Sequence, residues 1–213
     1  TTRKASLCSL SLPVLLPNIM SDNFERLILA SASPRRHELL RQLGVSFEVQ
    51  VANVVEQEEP DRDPRQLVSH NADLKASWVA ERNSRAWVLG ADTTVFVDEQ
   101  VLNKPNDLGE ARSMLKQLSG RSHSVFTGMV LLNQEQNVRL ERGVESFVYF
   151  RELTEDVISV YLDKVHTLDK AGGYAIQEHG EMIVQRYEGS LSNIIGLPLD
   201  ETKHILTDAG LLT

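Results

Sequence analysis

Two carboxylates and a small group of cations stand in this sequence where charge would meet a ligand rather than bulk water. Asp92 interrupts the most apolar run of the chain, with Trp87-Val88-Leu89-Gly90-Ala91 before it and Val95-Phe96-Val97 after it. A carboxylate there is costly to bury unless it is paired or metal-bound. Glu56 ends the run Val54-Val55-Glu56, Arg35 and Arg36 follow Ser33-Pro34, Lys75 lies inside a helical pattern, and Lys104 precedes Pro105. Lys170, beside Asp169, is a fifth candidate cation. Carboxylate oxygens without cysteine or paired histidine ligands suit a hard divalent cation such as Mg²⁺ or Mn²⁺, which prefers oxygen and shares its shell with phosphates. Surrounding cations would neutralise a triphosphate. Such a set is the equipment of phosphoryl and nucleotidyl transfer, where positioning and charge neutralisation supply most of the catalysis. Asp92 also has a plainer reading, an aspartate in a turn between two strands, which Gly90 would permit.

The elements that must hold these residues begin with Leu27-Ile28-Leu29, followed by Ala30-Ser31-Ala32-Ser33 and then Pro34-Arg35-Arg36. This reads as strand, phosphate-sized loop and helix. Ser33 is a good N-cap, and Pro34 suits a first turn whose N–H is unpaired anyway. Leu39, Leu40 and Leu43 follow helical spacing and Gly44 closes the helix. The helix start then offers free N–H groups and a partial positive charge, which together want an anion. Arginines on a first turn oppose the helix dipole, and such local violations tend to sit at functional sites. The alternative is an ordinary turn with solvated arginines.

Further along, Phe47 to Val51 alternates as a strand that runs into Val54-Val55-Glu56, and an acidic loop from Gln57 to Asp63 follows. A helix is expected from about Arg65 to Glu81, with Lys75 within it, and then a central strand over Ala86 to Val97. Lys104 falls in a loop, and a helix covers Glu110 to Leu118. Ser124 to Leu132 and Val144 to Phe150 read as a hairpin across Asn133 to Asn137. Thr154 caps a helix from Glu155 to about Lys164. Asp169 to Gln177 is a glycine-bearing loop feeding a short strand, Met182 to Tyr187 a strand, and Leu197 onward a terminal helix introduced by Pro198. Strands alternating with helices make the chain α/β.

The 213 residues, 41% hydrophobic and 24% charged, have the composition of an ordinary soluble globular protein with room for one large or two small lobes. A net charge of -8 argues against general nucleic-acid binding, because a phosphate backbone demands a basic surface. Cys8 is the one cysteine, so no internal disulfide or thiolate cluster can be built, and a reducing, cytoplasmic location is expected. Arg3 and Lys4 before Leu10, Leu12 and Val14-Leu15-Leu16 have the outline of a signal peptide. Pro13 and Pro17 interrupt it, it is too short to span a bilayer, and no small-x-small cleavage site follows. We therefore expect residues 1–20 to be a non-native or disordered extension, with Met20 a natural start, and residues 21–213 to form a single domain. Walker A, Gly-x-Gly-x-x-Gly, Gly-x-Ser-x-Gly and His-Glu-x-x-His motifs are absent, and the six histidines fall at no ligand spacing.

An ordered series of short motifs closely resembles the Maf family of nucleotide pyrophosphatases. It comprises Ser33-Pro34-Arg35-Arg36, Glu56, Lys75-Ala76, Gly90-Ala91-Asp92-Thr93, Lys104-Pro105, Ser119-Gly120, Thr127-Gly128, Asp169-Lys170-Ala171-Gly172, Tyr174, Ile176-Gln177, Gly180 and Gly196-Leu197-Pro198-Leu199. The resemblance implies hydrolysis of nucleoside triphosphates to monophosphate and pyrophosphate on a Maf/ITPase-like, two-lobed α/β scaffold, a mixed twisted sheet flanked by helices with the cleft between lobes. It makes Asp92 the base and Glu56 with Asp92 the holders of the metal. Ser33, Arg35, Arg36, Lys75, Thr93, Lys104, Lys170 and Gln177 become substrate contacts. Arg35, Thr93 and Gln177 look like the branch that acts on dTTP and UTP, where the 7-methyl-GTP branch resembles Trp, Gln and Glu. A glutamine offers both the donor and the acceptor that a pyrimidine edge requires. The implied partner is a small nucleotide, with no nucleic-acid polymer and no membrane, and a homodimer is the assembly the resemblance allows. A nucleotide-binding regulator of septum formation without turnover is the alternative. Two departures stand out: His70-Asn71-Ala72 where Arg-Leu-Ala is usual before the helical lysine, and Leu191 where a tyrosine is common after Gly-Ser.

Overall fold

The computed structural model describes residues 26–57, 62–98 and 100–212. The expected N-terminal extension, with Cys8 and Met20, lies outside the described residues, as do positions 58–61 of the acidic loop.

Strand β1 (Leu27–Leu29) is buried along its whole length, as its unbroken apolar run requires. It pairs in parallel with β2 (Glu48–Val49) on one side and with β3 (Trp87–Val97) on the other. Helix α1 (Pro34–Gln42) connects β1 to β2, and α2 (Pro64–Ala80) connects β2 to β3. Beyond β3 the sheet turns antiparallel. Short β4 (Gln100–Leu102) pairs back on β3, and β5 (Ser122–Asn133), β6 (Val138–Phe150) and β7 (Val184–Glu188) complete seven strands in the order β2-β1-β3-β5-β6-β7. Helices α3 (Leu108–Leu118), α4 (Glu155–Lys164), α5 (Leu191–Ile195) and α6 (Leu199–Asp208) complete the expected mixed α/β sheet flanked by helices. No helix among the described residues is long and apolar enough to cross a membrane.

The two ends of β3 belong to different cores. Val88 packs with Ala72, Ala76 and Val79 of α2, while Trp87 and Leu89 on the other face pack with Leu39 and Leu40 of α1 and Ile205 and Leu206 of α6. Val95 and Val97 join a separate core with Leu115 and Leu118 of α3 and Ile158 and Tyr161 of α4. Asp92 and Thr93 fall where one core hands over to the other, and they are less buried than the residues on either side.

Several sequence expectations are corrected. Asp92 is not in a turn: β3 is continuous through it, with Asp92 opposite Gly128 of β5. The strand expected from Phe47 through Glu56 shrinks to Glu48–Val49, because β1 offers only three residues of ladder and no strand among the described residues lies beyond β2. Glu56 therefore sits on an irregular segment, not at a strand end. No strand follows the Asp169 loop; Ala171–Gly173 form a 3₁₀ turn in which Gly172 and Gly173 both adopt positive φ, 72° and 69°, a conformation a strand cannot hold. Strand β6 starts at Val138, earlier than Val144, because one face of this antiparallel strand is solvated and carries charges such as Arg139 and Glu141. Helix α5 was not anticipated; Ser190 caps it by accepting from the Asn193 N–H.

His123 of β5 is buried against Phe150 and Tyr174, ring centroids 4.9 and 5.3 Å away, with its Nε2 2.7 Å from the Tyr174 hydroxyl. Burial pushes the imidazole down from 6.5 to about 3. The unfolded chain therefore binds a proton between these values that the folded protein refuses, and stability contributed by neutral His123 is lost as pH falls from 6.5 towards 3. Urea unfolding between pH 6 and 4 should show a stability slope shallower by up to about 1.4 kcal/mol per pH unit in His123→Leu than in the unsubstituted protein. Equal slopes would assign the acid sensitivity to other groups.

Candidate active site

Helix α2 lies almost in contact with the sheet because two strand residues beneath it have no side chain. A Cβ on Gly90 would fall 2.3 Å from the Ala72 carbonyl oxygen and 2.8 Å from the Ala76 Cβ, and one on Gly128 would fall 2.9 Å from the Ser69 Cα. Glycine inside a strand commonly marks such close backbone approach. Lys75 is thereby brought down onto the floor of a cleft. Its Nζ donates to Asp92 Oδ1 at 2.8 Å and pairs with Glu56 Oε2 at 2.9 Å. The Lys75 and Asp92 side chains are only 12% and 14% exposed, whereas Glu56 is 45% exposed, so the pair nearer the floor is shielded and the third member faces outward. The other Asp92 oxygen, Oδ2, makes no hydrogen bond among the described residues.

Across the cleft stands the start of α1. Ser33 caps it, accepting from the Arg36 N–H. The Arg36 side chain turns inward, donating from Nε to the Gly196 carbonyl at 2.8 Å, from Nη2 to Thr93 Oγ1 at 2.9 Å and from Nη1 to Ser31 Oγ at 3.4 Å. Burial lowers its pKa, an effect the Asp92 and Glu56 carboxylates oppose. It nevertheless stays a cation, as arginine does in proteins. Thr93 Oγ1 also lies 2.9 Å from Thr127 Oγ1 and 3.3 Å from the Gly196 carbonyl, so this residue braces Arg36 from below.

Arg35 points the other way and pairs with Asp169, Nη1 to Oδ2 at 2.9 Å. Lys170, its side chain 7% exposed, pairs with the other Asp169 oxygen at 2.8 Å and with Glu178 at 3.3 Å, and donates to the His166 carbonyl. Burial pushes the Asp169 carboxyl up, but the hydrogen bonds from Lys170 and Arg35 outweigh it and hold the group below its usual value. Asp169 is thus part of the site, though only its place beside Lys170 marked it in the sequence. Lys104 and Gln177, both exposed, make no hydrogen bond or ion pair among the described residues. Among the described residues, Lys104 is therefore a cation of the cleft wall without a counter-ion.

All ten residues singled out from the sequence, Ser33, Arg35, Arg36, Glu56, Lys75, Asp92, Thr93, Lys104, Lys170 and Gln177, line this one cleft of about 310 Å³. A second cavity of about 580 Å³ opens on the far side of Glu56, Asp92 and Lys104, lined also by Asn71, Thr94 and Asn103. The carboxylates stand on the wall between the two. Among the described residues no group of three or more His, Cys, Asp or Glu side chains is placed to hold a metal ion unaided. Asp92 and Glu56 each engage Lys75 through one oxygen and leave the other. That donor set fits an oxygen-preferring divalent cation that completes its shell with phosphate and water.

The sequence pattern of the family described as Maf-like protein matches residues 26–209. The chain is 46% identical over 189 residues to a dTTP/UTP pyrophosphatase of Syntrophus aciditrophicus, covering 89% of this chain and 92% of that one. It is 45% identical to a dTTP/UTP pyrophosphatase of Myxococcus xanthus, covering 87% and 93%. Against a dTTP/UTP pyrophosphatase of Bacillus cereus it is 43% identical, covering 84% and 87%.

The seating of α2 is open to a direct test. Gly90→Ala must displace helix backbone rather than a flexible side chain, at a cost of about 1–3 kcal/mol in urea unfolding. Because the displaced turn carries Lys75, activity at a temperature where the variant is fully folded should fall as well. Unchanged stability would mean that α2 does not sit so close.

Proposed function

The chain belongs to the Maf family, and on that premise we propose that it hydrolyses dTTP and UTP to the nucleoside monophosphate and pyrophosphate. The observation that carries this reading is the confrontation across one cleft of a carboxylate pair around Lys75 with the cationic start of α1. A triphosphate fits between them, its oxygens meeting the free N–H groups of the first turn and Lys104. Arg36 is already locked by three hydrogen bonds, so it needs no reorganisation as negative charge grows on the leaving pyrophosphate.

In this reading the unpartnered Oδ2 of Asp92 accepts the proton of an attacking water. The new P–O bond forms as the bond at the α–β phosphate linkage breaks, and the electron pair leaves with pyrophosphate. The second cavity gives water a route to Asp92 that does not cross the phosphate cradle. Lys75 holds the carboxylate in place. Glu56 and Asp92 would hold a divalent cation, Mg²⁺ or Mn²⁺. Such a cation, when bound, supplies charge neutralisation at the phosphates. Binding without turnover would need the cations but not an open aspartate beside them, so nothing in the site favours the regulatory alternative. A homodimer stays part of the proposal on family resemblance alone.

In this reading the base lies against Arg35, Asp169, Ile176 and Gln177, which line the same cleft. Gln177, which makes no hydrogen bond among the described residues, can offer a carboxamide to the pyrimidine edge.

Asp92→Asn keeps size and hydrogen bonding but removes the basic oxygen, so kcat for UTP should fall by about 10²-fold or more, measured as pyrophosphate release with Mg²⁺ present. A near-normal rate would remove Asp92 from the chemistry. For the base, Gln177→Glu sets a carboxylate against pyrimidine carbonyls, and the ratio of kcat/KM for UTP to that for GTP should drop about tenfold. A uniform loss across nucleotides would place Gln177 outside the base pocket.

A further inference from the structure

Glu56 faces Lys75 at the end of a segment with little else to hold it. After β2 the chain makes one backbone hydrogen bond, from the Gln50 N–H to the Leu29 carbonyl, and among the described residues no hydrogen bond fixes residues 51–55. Val51 and Val55 are 54% and 92% exposed, so apart from Ala52, which touches the core beneath α2, apolar packing adds little. The tether comes one residue later. Gln57 is gripped at both backbone polar groups by one side chain: its N–H donates to Asn71 Oδ1 at 2.8 Å, and its carbonyl accepts from Asn71 Nδ2 at 3.1 Å.

Asn71 is 4% exposed and precedes Lys75 on α2 by one helical turn, so the two side chains project from the same helix face. The helix thus presents two successive rungs, Asn71 to Gln57 and Lys75 to Glu56. An asparagine carboxamide is matched to this task, since its acceptor and donor satisfy the N–H and C=O of one residue the way a neighbouring strand would. Burying it against an irregular segment is sensible only if that segment must be held.

We propose that Asn71 is the positioning residue of the reaction: it acts as a substitute strand that fixes the irregular segment, and so aims the Glu56 carboxylate at Lys75 and the phosphate side of the cleft. The Asn71 side chain touches no substrate itself; it works through Glu56. The inference rests on Glu56 acting in the pyrophosphatase reaction proposed above.

Asn71→Leu keeps the branched shape and removes both hydrogen bonds. Hydrogen exchange of the Gln57 amide, followed by NMR, should change from protected to fast in this variant, whether or not the protein turns anything over. With UTP, kcat should fall about tenfold, as expected for a catalytic group left ångström-scale out of place, with KM little changed. The same substitution made in Glu56→Gln should cost less than about twofold, because a residue acting through Glu56 has nothing left to act on. Should Asn71→Leu fail to fold, Asn71→Ala carries the same three measurements. A Gln57 amide that stays protected, or equal losses in the two backgrounds, overturns the assignment. A native protein inactive on every pyrimidine triphosphate overturns the pyrophosphatase reading and with it the catalytic part of this one, while exchange at Gln57 still decides whether Asn71 is the tether.

Discussion

The contact on which the site depends is the one between α2 and the bare backbone of β3 and β5. Gly90 and Gly128 remove the two Cβ atoms that would hold the helix away, and Ala72 and Ala76 supply the thin surface that replaces them. A lysine has a long, flexible stem, so its charge is ordinarily spread over several ångströms of solvent. With its helix pressed to the sheet and its side chain 12% exposed, Lys75 has little freedom left. Its ammonium is confined between two carboxylates. In a low-dielectric floor such a pair is costly to form and costly to break, since removing either partner strands an uncompensated charge. Asp92 is thereby fixed by the packing of α2 on its own face of β3, through Lys75.

The cations of the cleft divide into those already spent on the protein and one that is not. Arg36 is bound to a carbonyl and two hydroxyls, none of them charged, so it keeps its full positive charge for a phosphate while losing its mobility. Arg35 and Lys170 are instead tied to Asp169 and Glu178, which mutes them and fixes the rim at which the base must enter. Lys104, unpaired among the described residues, stands on an exposed loop and can follow the phosphates as they move. A chain of net charge -8 thus holds a local positive field without becoming a general binder of polyanions.

Much of this was legible in the sequence because it was local. Asp92 could be found as a carboxylate inside an apolar strand, and the start of α1 could be read from Ser33-Pro34 by capping chemistry alone. What escaped depends on contacts between distant segments. Nothing near Arg36 says that its guanidinium is anchored by the carbonyl of Gly196, 160 residues away. The stretch around Glu56 has the apolar alternation of a strand, but alternation cannot reveal that β1 is too short to pair with it. Nor can it reveal that Gln57 finds its partner on a helix. The glycines at 172 and 173 were visible as a loop, yet the strand expected after them was a misreading of Tyr174 and Ile176, which are apolar because they line a cleft and abut a core.

Asn71 shows why a departure from a familiar pattern can carry more than agreement with it. Set against a family expectation of a leucine, a buried asparagine reads as damage to a helix face, and a polar group left alone there would indeed destabilise the fold. Both ends of this one are satisfied, and by the backbone of a single residue, so the polar side chain costs little while giving an irregular segment the two hydrogen bonds it lacks. The cost of β2 ending after two residues is that its continuation must be held by something other than a sheet. A helix already pinned to the sheet by glycine is the stiffest neighbour available. The tight seating of α2 therefore positions both members of the carboxylate pair, Asp92 directly through Lys75 and Glu56 through Lys75 and Asn71 together.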